Sequence, residues 1–203
     1  MKNENNQPKL SKKHIDSIID LFSNSQLDEA LNKVNILIQS NPNKALLFNI
    51  AGACYAGLND MKQAIKSYKT AISLRPDYVE AYNNLGIAYK NFGKIDDAIA
   101  SFEKAVVLMP NFVEAHCNLG VIYKELGKLD HAIKSFELAL SINPNYIEAN
   151  NNVGILKKEL GDIDDAINYF QKILLIDSNN HNAHNNLGSC YYQLGNFTNA
   201  TLS

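Results

Sequence analysis

Between residues 79 and 112 the chain reads VEAYNNLGIAYKNFGKIDDAIASFEKAVVLMPNF, and its small and apolar positions fall into two stripes. Ala81, Leu85, Gly86 and Tyr89 make the first, and Ala98, Ile99, Phe102 and Ala105 the second. Both follow a period near 3.6, so each predicts an amphipathic helix. Gly93 lies between them and supplies the left-handed residue that ends the first helix. Pro110 stops the second. Asp77-x-x-Glu80, Asn111-x-x-Glu114 and Asn145-x-x-Glu148 read as capping boxes that start the next helix. The expected element is helix, short turn, helix, with no room for strands.

The same pattern recurs at a fixed interval of 34 residues. Pro42, Pro76, Pro110 and Pro144 keep it, as do Ala30, Ala64, Ala98, Ala132, Ala166 and Ala200. So do Gly52, Gly86, Gly120, Gly154 and Gly188, and again Gly93, Gly127, Gly161 and Gly195. Residues 79–112 and 113–146 share 19 identities in 34 positions, which makes the chain a tandem array rather than a pair of unrelated domains. Repeats therefore run 11–44, 45–78, 79–112, 113–146, 147–180 and 181–203, after a polar tail at 1–10 that is expected to be disordered. The first repeat is degenerate, with Ile18 at the Gly position and Leu21 at the Tyr position. The sixth stops early in its second helix, so the natural chain is expected to continue, or this end to pack on another chain. Mid-helix glycine at position 8, present in every repeat but the first, costs about 1 kcal/mol against Ala. That cost is sensible only where the second helix of the same repeat approaches closely, at the level of Ala64, Ala98, Ala132, Ala166 and Ala200.

The residues Tyr82-x-x-Leu85-Gly86-x-x-Tyr89, Ala98-x-x-x-Phe102 and Pro110 resemble the 34-residue signature of the tetratricopeptide repeat (TPR) family. His116, Leu119, Gly120, Tyr123, Ala132, Phe136 and Pro144 repeat it. The fifth repeat departs from it at Lys157 and Ser178. The resemblance implies an all-α fold, a right-handed α-solenoid of antiparallel helix hairpins (a TPR superhelix), and a non-enzymatic protein-binding scaffold whose first helices line a concave groove.

Helix geometry assigns positions 2, 5, 6, 9, 12 and 13 of each repeat to that groove. Asn49, Asn83, Asn151 and Asn185 then form one row, with Cys117 interrupting it, and Asn84, Asn118, Asn152 and Asn186 a second. Ile87, Val121 and Ile155 form an aliphatic row beside them. Glu80, Glu114 and Glu148 lie along one rim, and Lys90, Lys124 and Lys158 along the other, as two charged rails or as helix ends in solvent. A carboxamide offers donors and an acceptor to the backbone of any extended peptide. The arrangement is similar to the asparagine ladder of the TPR superhelix in the O-linked N-acetylglucosamine transferase. The same Asn residues could instead bond between neighbouring helices. The expected partner is a protein or peptide ligand. The alternative is an N-terminal substrate-recruiting module of a larger glycosyltransferase or sulfotransferase, and self-association through the last repeat is a further option.

Composition removes other classes. Nineteen basic against 21 acidic residues leave a formal charge of −2, which argues against nucleic acid as a partner. Arg75 is the lone arginine and falls in a second helix, so no bidentate carboxylate clamp is expected. No apolar run approaches a membrane span, no signal-type h-region precedes the repeats, and a cytoplasmic location is expected. Cys54, Cys117 and Cys190 are too widely spaced for a zinc ribbon or a disulfide framework. His181 and His184 sit three apart on a helix without a third ligand, and no cofactor, metal or catalytic residue is expected. The sequons at Asn196 and Asn199 read as chance matches.

Overall fold

The structure is a computed structural model that describes residues 10–195. The tail up to residue 9, the sequons at Asn196 and Asn199, Ala200 and the second helix of the sixth repeat lie outside the described residues. Those described form eleven α-helices and no strand. The fold is all-α, as the periodicity predicts. Two compact units divide it at 108/109, after the second helix of the third repeat. The first holds α1 (Lys12–Ser23), α2 (Leu27–Ser40), α3 (Ala45–Gly57), α4 (Met61–Leu74), α5 (Val79–Asn91) and α6 (Ile95–Leu108). The second holds α7 (Val113–Glu125), α8 (Leu129–Ile142), α9 (Ile147–Glu159), α10 (Ile163–Ile176) and α11 (His181–Gln193). Within each unit a helix packs on its hairpin partner and on the next hairpin, the arrangement of an α-solenoid.

The turn inside each hairpin is set by one left-handed residue. Gly93, Gly127, Gly161 and Gly195 have φ of 79°, 70°, 87° and 71°, and Asn59 takes the role at 62°. The degenerate first repeat obeys the same rule with Ser25, at φ 59°. The turns at Ser25, Asn59, Gly93, Gly127 and Gly161 are Schellman motifs: the Lys94 N–H donates to Tyr89 O at 2.8 Å, and the Lys128 N–H to Tyr123 O at 2.8 Å.

Two local expectations are corrected. The caps of α5, α7 and α9 are Tyr78, Phe112 and Tyr146, one residue after the Asp or Asn assigned to the capping boxes, and none makes a side-chain cap bond. Tyr78 is part of the core, and Phe112 and Tyr146 are half-buried. Two side-chain caps form, each from a short polar residue at the cap position: Asp60 accepts from the Gln63 N–H and Asn180 from the Ala183 N–H, whereas Asp162 at the start of α10 makes no such bond. Arg75 is not within α4 but caps its C-terminus, its guanidinium carbon 3.2 Å from the centroid of the Tyr78 ring.

The departures of the fifth repeat are absorbed locally. α10 ends in the same register without proline, and the Asp177 carboxylate accepts from the Asn179 N–H much as the Asn143 side chain accepts from the Asn145 N–H before Pro144. Lys157 replaces the tyrosine of position 11 and pairs with Asp162 at 3.1 Å and Asp165 at 3.2 Å.

The position-8 glycines do face the second helix of their own repeat, but what fills the gap is an aromatic ring rather than the level of the alanines. A Cβ on Gly52 would lie 2.6 Å from Tyr68 Cε1, one on Gly86 2.6 Å from Phe102, one on Gly120 2.6 Å from Phe136, and one on Gly154 2.7 Å from Phe170. Those three phenylalanines are fully buried, as are Ala64, Ala98, Ala132 and Ala166 one turn earlier. Gly57, outside the pattern, admits the Leu27 side chain in the same way, at 2.7 Å.

Gly120→Ala gains about 1 kcal/mol of helix propensity but overpacks a ring that has nowhere to move, at a cost of about 1–3 kcal/mol. The expected outcome is net destabilisation in urea melts, partly relieved when Phe136→Leu is added. An Ala variant as stable as the parent would remove the glycine–ring contact as the reason for the residue.

Candidate functional site

The residues assigned to the groove lie on the first helices, on the side away from each hairpin's core. In the first unit, α5 exposes Glu80 and Ile87 and leaves Asn84 and Lys90 half-buried. In the second, Glu114 and Glu148 are exposed, and Asn118, Val121 and Lys124 on α7 and Asn151, Asn152, Ile155 and Lys158 on α9 are half-buried. On α11, Asn185 is exposed and Asn186 half-buried. Asn83 is a correction: at 8% exposure it offers a ligand almost no surface.

The two asparagine rows bond to each other. Asn84 Nδ2 donates to Asn49 Oδ1 at 3.2 Å, and Asn186 Nδ2 donates to Asn151 Oδ1 at 3.1 Å. Position 6 of one repeat thus holds position 5 of the repeat before it. A carboxamide has two donor hydrogens and two acceptor lone pairs, so each of these bonds orients the group and leaves capacity for a ligand.

The lysine rail is corrected as well. Lys124 Nζ donates to Asn152 Oδ1 at 2.9 Å, and Lys158 Nζ to Ser189 Oγ at 3.4 Å, each reaching the first helix of the following repeat. A flexible four-carbon stem lets the ammonium cross that gap while its methylenes lie on the helix surface. Asn152 Nδ2 in turn donates to the Glu148 carbonyl at 2.8 Å. The glutamates carry no such tie. None of Glu80, Glu114 and Glu148 forms an ion pair among the described residues.

Position 4 of the later repeats carries a tie to the preceding loop. His116 Nε2 lies 2.8 Å from the Pro110 carbonyl, and His184 Nε2 3.0 Å from the Ser178 carbonyl. Asn150 Nδ2 donates to the Pro144 carbonyl at 3.0 Å and the Tyr146 carbonyl at 2.9 Å. Each side chain ties its helix to the preceding loop six residues back. The recurrence of a donor-bearing residue at that slot was the available signal. Asn150 is an imperfect version, because its Oδ1 is buried without a partner.

The cysteines are buried and unpaired. Burial pushes the Cys117 thiol up to about 12, with the Glu148 and Glu114 carboxylates adding to the effect. Burial also raises Cys54 and Cys190, the latter opposed by the Lys158 ammonium. Among the described residues no three His, Cys, Asp or Glu side chains are placed to hold a metal ion, and no helix is long and apolar enough to cross a membrane.

Family models described as TPR repeat match residues 52–91 and 92–127, and models described as tetratricopeptide repeat match 113–146 and 158–201. No curated protein matches the sequence significantly. Among solved structures the chain is similar to MamA, at 26% identity over 82% of this chain and 95% of that one, with a TM-score of 0.67. It is similar in fold to PilF of Pseudomonas aeruginosa, at 16% identity over 94% and 86% of the two chains and a TM-score of 0.83. PilW, a type IV pilus biogenesis factor, gives 20% identity, 95% and 91% coverage and a TM-score of 0.81.

Two outcomes follow from the geometry. Asn150→His replaces an unsatisfied carboxamide oxygen by the side chain that makes the same bond in the neighbouring repeats, so thermal denaturation is expected to show unchanged or higher stability, by up to about 1 kcal/mol. Native-state titration with a thiol reagent at pH 8 is expected to find all three cysteines slow, because a thiol raised by burial holds little thiolate there. Three fast thiols are expected only in denaturant.

Proposed function

The chain belongs to the tetratricopeptide repeat family of protein-interaction scaffolds, and on that premise we propose that it is a non-enzymatic adaptor binding an extended polypeptide along its first helices. The observation that carries this reading is the recurrence, at 34-residue spacing, of an outward stripe that no hairpin needs for its own core. On α7 and α9 that stripe runs exposed Glu, half-buried Asn, aliphatic Val121 or Ile155, then Lys. Such a face pairs main-chain groups through carboxamides and takes alternate apolar side chains on the aliphatic row, without demanding one sequence. The Asn–Asn bonds at 3.2 and 3.1 Å support it by holding those carboxamides in place before a ligand arrives. The compartment we propose is the cytoplasm, supported by three buried, unpaired thiols.

The reading is tested with the tightest binder from a peptide array, measured on the purified full chain. Asn118→Ala combined with Asn152→Ala is expected to weaken it about tenfold, the loss of one or two neutral hydrogen bonds at about 0.5–1.5 kcal/mol each. Circular dichroism and melting temperature report the fold in parallel. Unchanged affinity in a folded double variant overturns the asparagine reading.

A further inference from the structure

The first repeat, degenerate by signature, pairs two large apolar side chains at positions 9 and 12 of its first helix, where the other described first helices carry at most one, Ile87, Val121, Ile155 or Tyr192. Its first helix turns Ile19 and Phe22 outward, 52% and 41% exposed, in the registers that hold Ile155 and Lys158 in the fifth repeat. Ile18, Ile19 and Phe22 of α1 join Asn49, Ile50 and Ala53 of α3 around a cavity of about 170 Å³. A cavity of about 150 Å³ lined by aliphatic and aromatic side chains holds a benzene ring. The walls are fixed: Ile18 is buried in the core of this repeat, and Asn49 Oδ1 accepts from Asn84 Nδ2.

Charge defines the rim. Asp16, Ile19 and Asp20 are neighbours on one helix face, at i, i+3 and i+4. Both carboxylates are exposed, and neither forms an ion pair among the described residues; Lys12 and Lys13, also exposed, stand one turn before Asp16, so Asp20 is the carboxylate of this helix farther from them. Lys33, the cation of the adjacent helix, is already engaged by Glu29 at 3.6 Å and Ser17 at 3.3 Å. The chain's own first nine residues, MKNENNQPK, offer no large apolar side chain except Met1 and so make a poor occupant.

We propose that this pocket takes one apolar anchor side chain, of Phe or Leu size, from a partner polypeptide whose flanking Lys or Arg residues face Asp16 and Asp20. The proposal rests on the groove reading above and adds to it a specificity: a basic segment with a single apolar anchor.

The test uses the full chain and four labelled ten-residue peptides, read by fluorescence anisotropy: Phe in a Lys background, Ala in the same Lys background, Phe in a Glu background and Phe in a Ser background. The Phe/Lys peptide is expected to bind tightest, with replacement of its Phe by Ala costing about tenfold or more. Phe22→Ala and, separately, Ile19→Ser are expected to cost a similar factor, and neither adds to the loss from the peptide's Phe-to-Ala change. Asp16→Lys with Asp20→Lys is expected to reverse the preference between Lys and Glu backgrounds. Both apolar substitutions are at exposed positions, and unchanged melting temperatures confirm the fold. Equal binding of the Phe and Ala peptides, or affinity indifferent to Phe22→Ala and Ile19→Ser, overturns the pocket. If the Asn118→Ala, Asn152→Ala variant then still weakens binding, the groove reading stands without the anchor. If no peptide binds the parent chain, both fail.

Discussion

The close approach of two helices over a glycine is the constraint on which this structure depends. In four described repeats the missing Cβ at position 8 makes room for an aromatic ring at position 24, and the ring would stand under 3 Å from any side chain placed there. The contact brings the two helices together where a larger residue would hold them apart. It also makes the hairpin, rather than the single helix, the smallest piece that buries an apolar face. A helix of 13 or 14 residues is marginal by itself in water, so its persistence here is a consequence of that burial.

Once the hairpin is closed, everything else is a matter of joining it to its neighbours. A left-handed residue turns the chain inside the hairpin, and six positions meet that demand with Gly, Asn or Ser according to what each repeat carries. A donor at position 4 ties the first helix to the loop before it, through His116, Asn150 or His184. Within each unit, lysine and asparagine side chains then reach from one first helix to the next. These polar ties occupy the same stripe that is proposed to bind a ligand. A binding face and an inter-repeat joint are therefore built from one set of carboxamides. That arrangement explains why the asparagines are half-buried rather than freely exposed.

The periodic features were legible without coordinates because each answers to a local rule. Glycine at position 15 must be left-handed whatever surrounds it, and an apolar stripe at 3.6 spacing must be covered. The failures came where two local rules compete. Asp77, Asn111 and Asn145 are good caps by propensity, yet the cap position falls on the aromatic that follows each one, buried at Tyr78 and half-buried at Phe112 and Tyr146, so the boxes do not form. The lysines of position 12 suit a helix C-terminus by charge alone. Whether they end in water or on the next hairpin depends on a partner 28 or 31 residues away. The exposed apolar face of α1 was hidden because the first repeat has lost the Gly and Tyr marks that index the other repeats.

The sequence by itself determined the repeat, the hairpin, the turn residues and the family, because a 34-residue period imposes the same short-range physics at every copy. Only the tertiary structure decided which aromatic fills each glycine notch and which carboxamides face one another. It also decided that Ile19 and Phe22 border a cavity with Ile50 and Ala53. Those outcomes turn on distances between side chains 16 to 35 residues apart, set by how one packed helix lies on the next. Spacing along the chain names the candidates for such contacts, and the packing chooses among them.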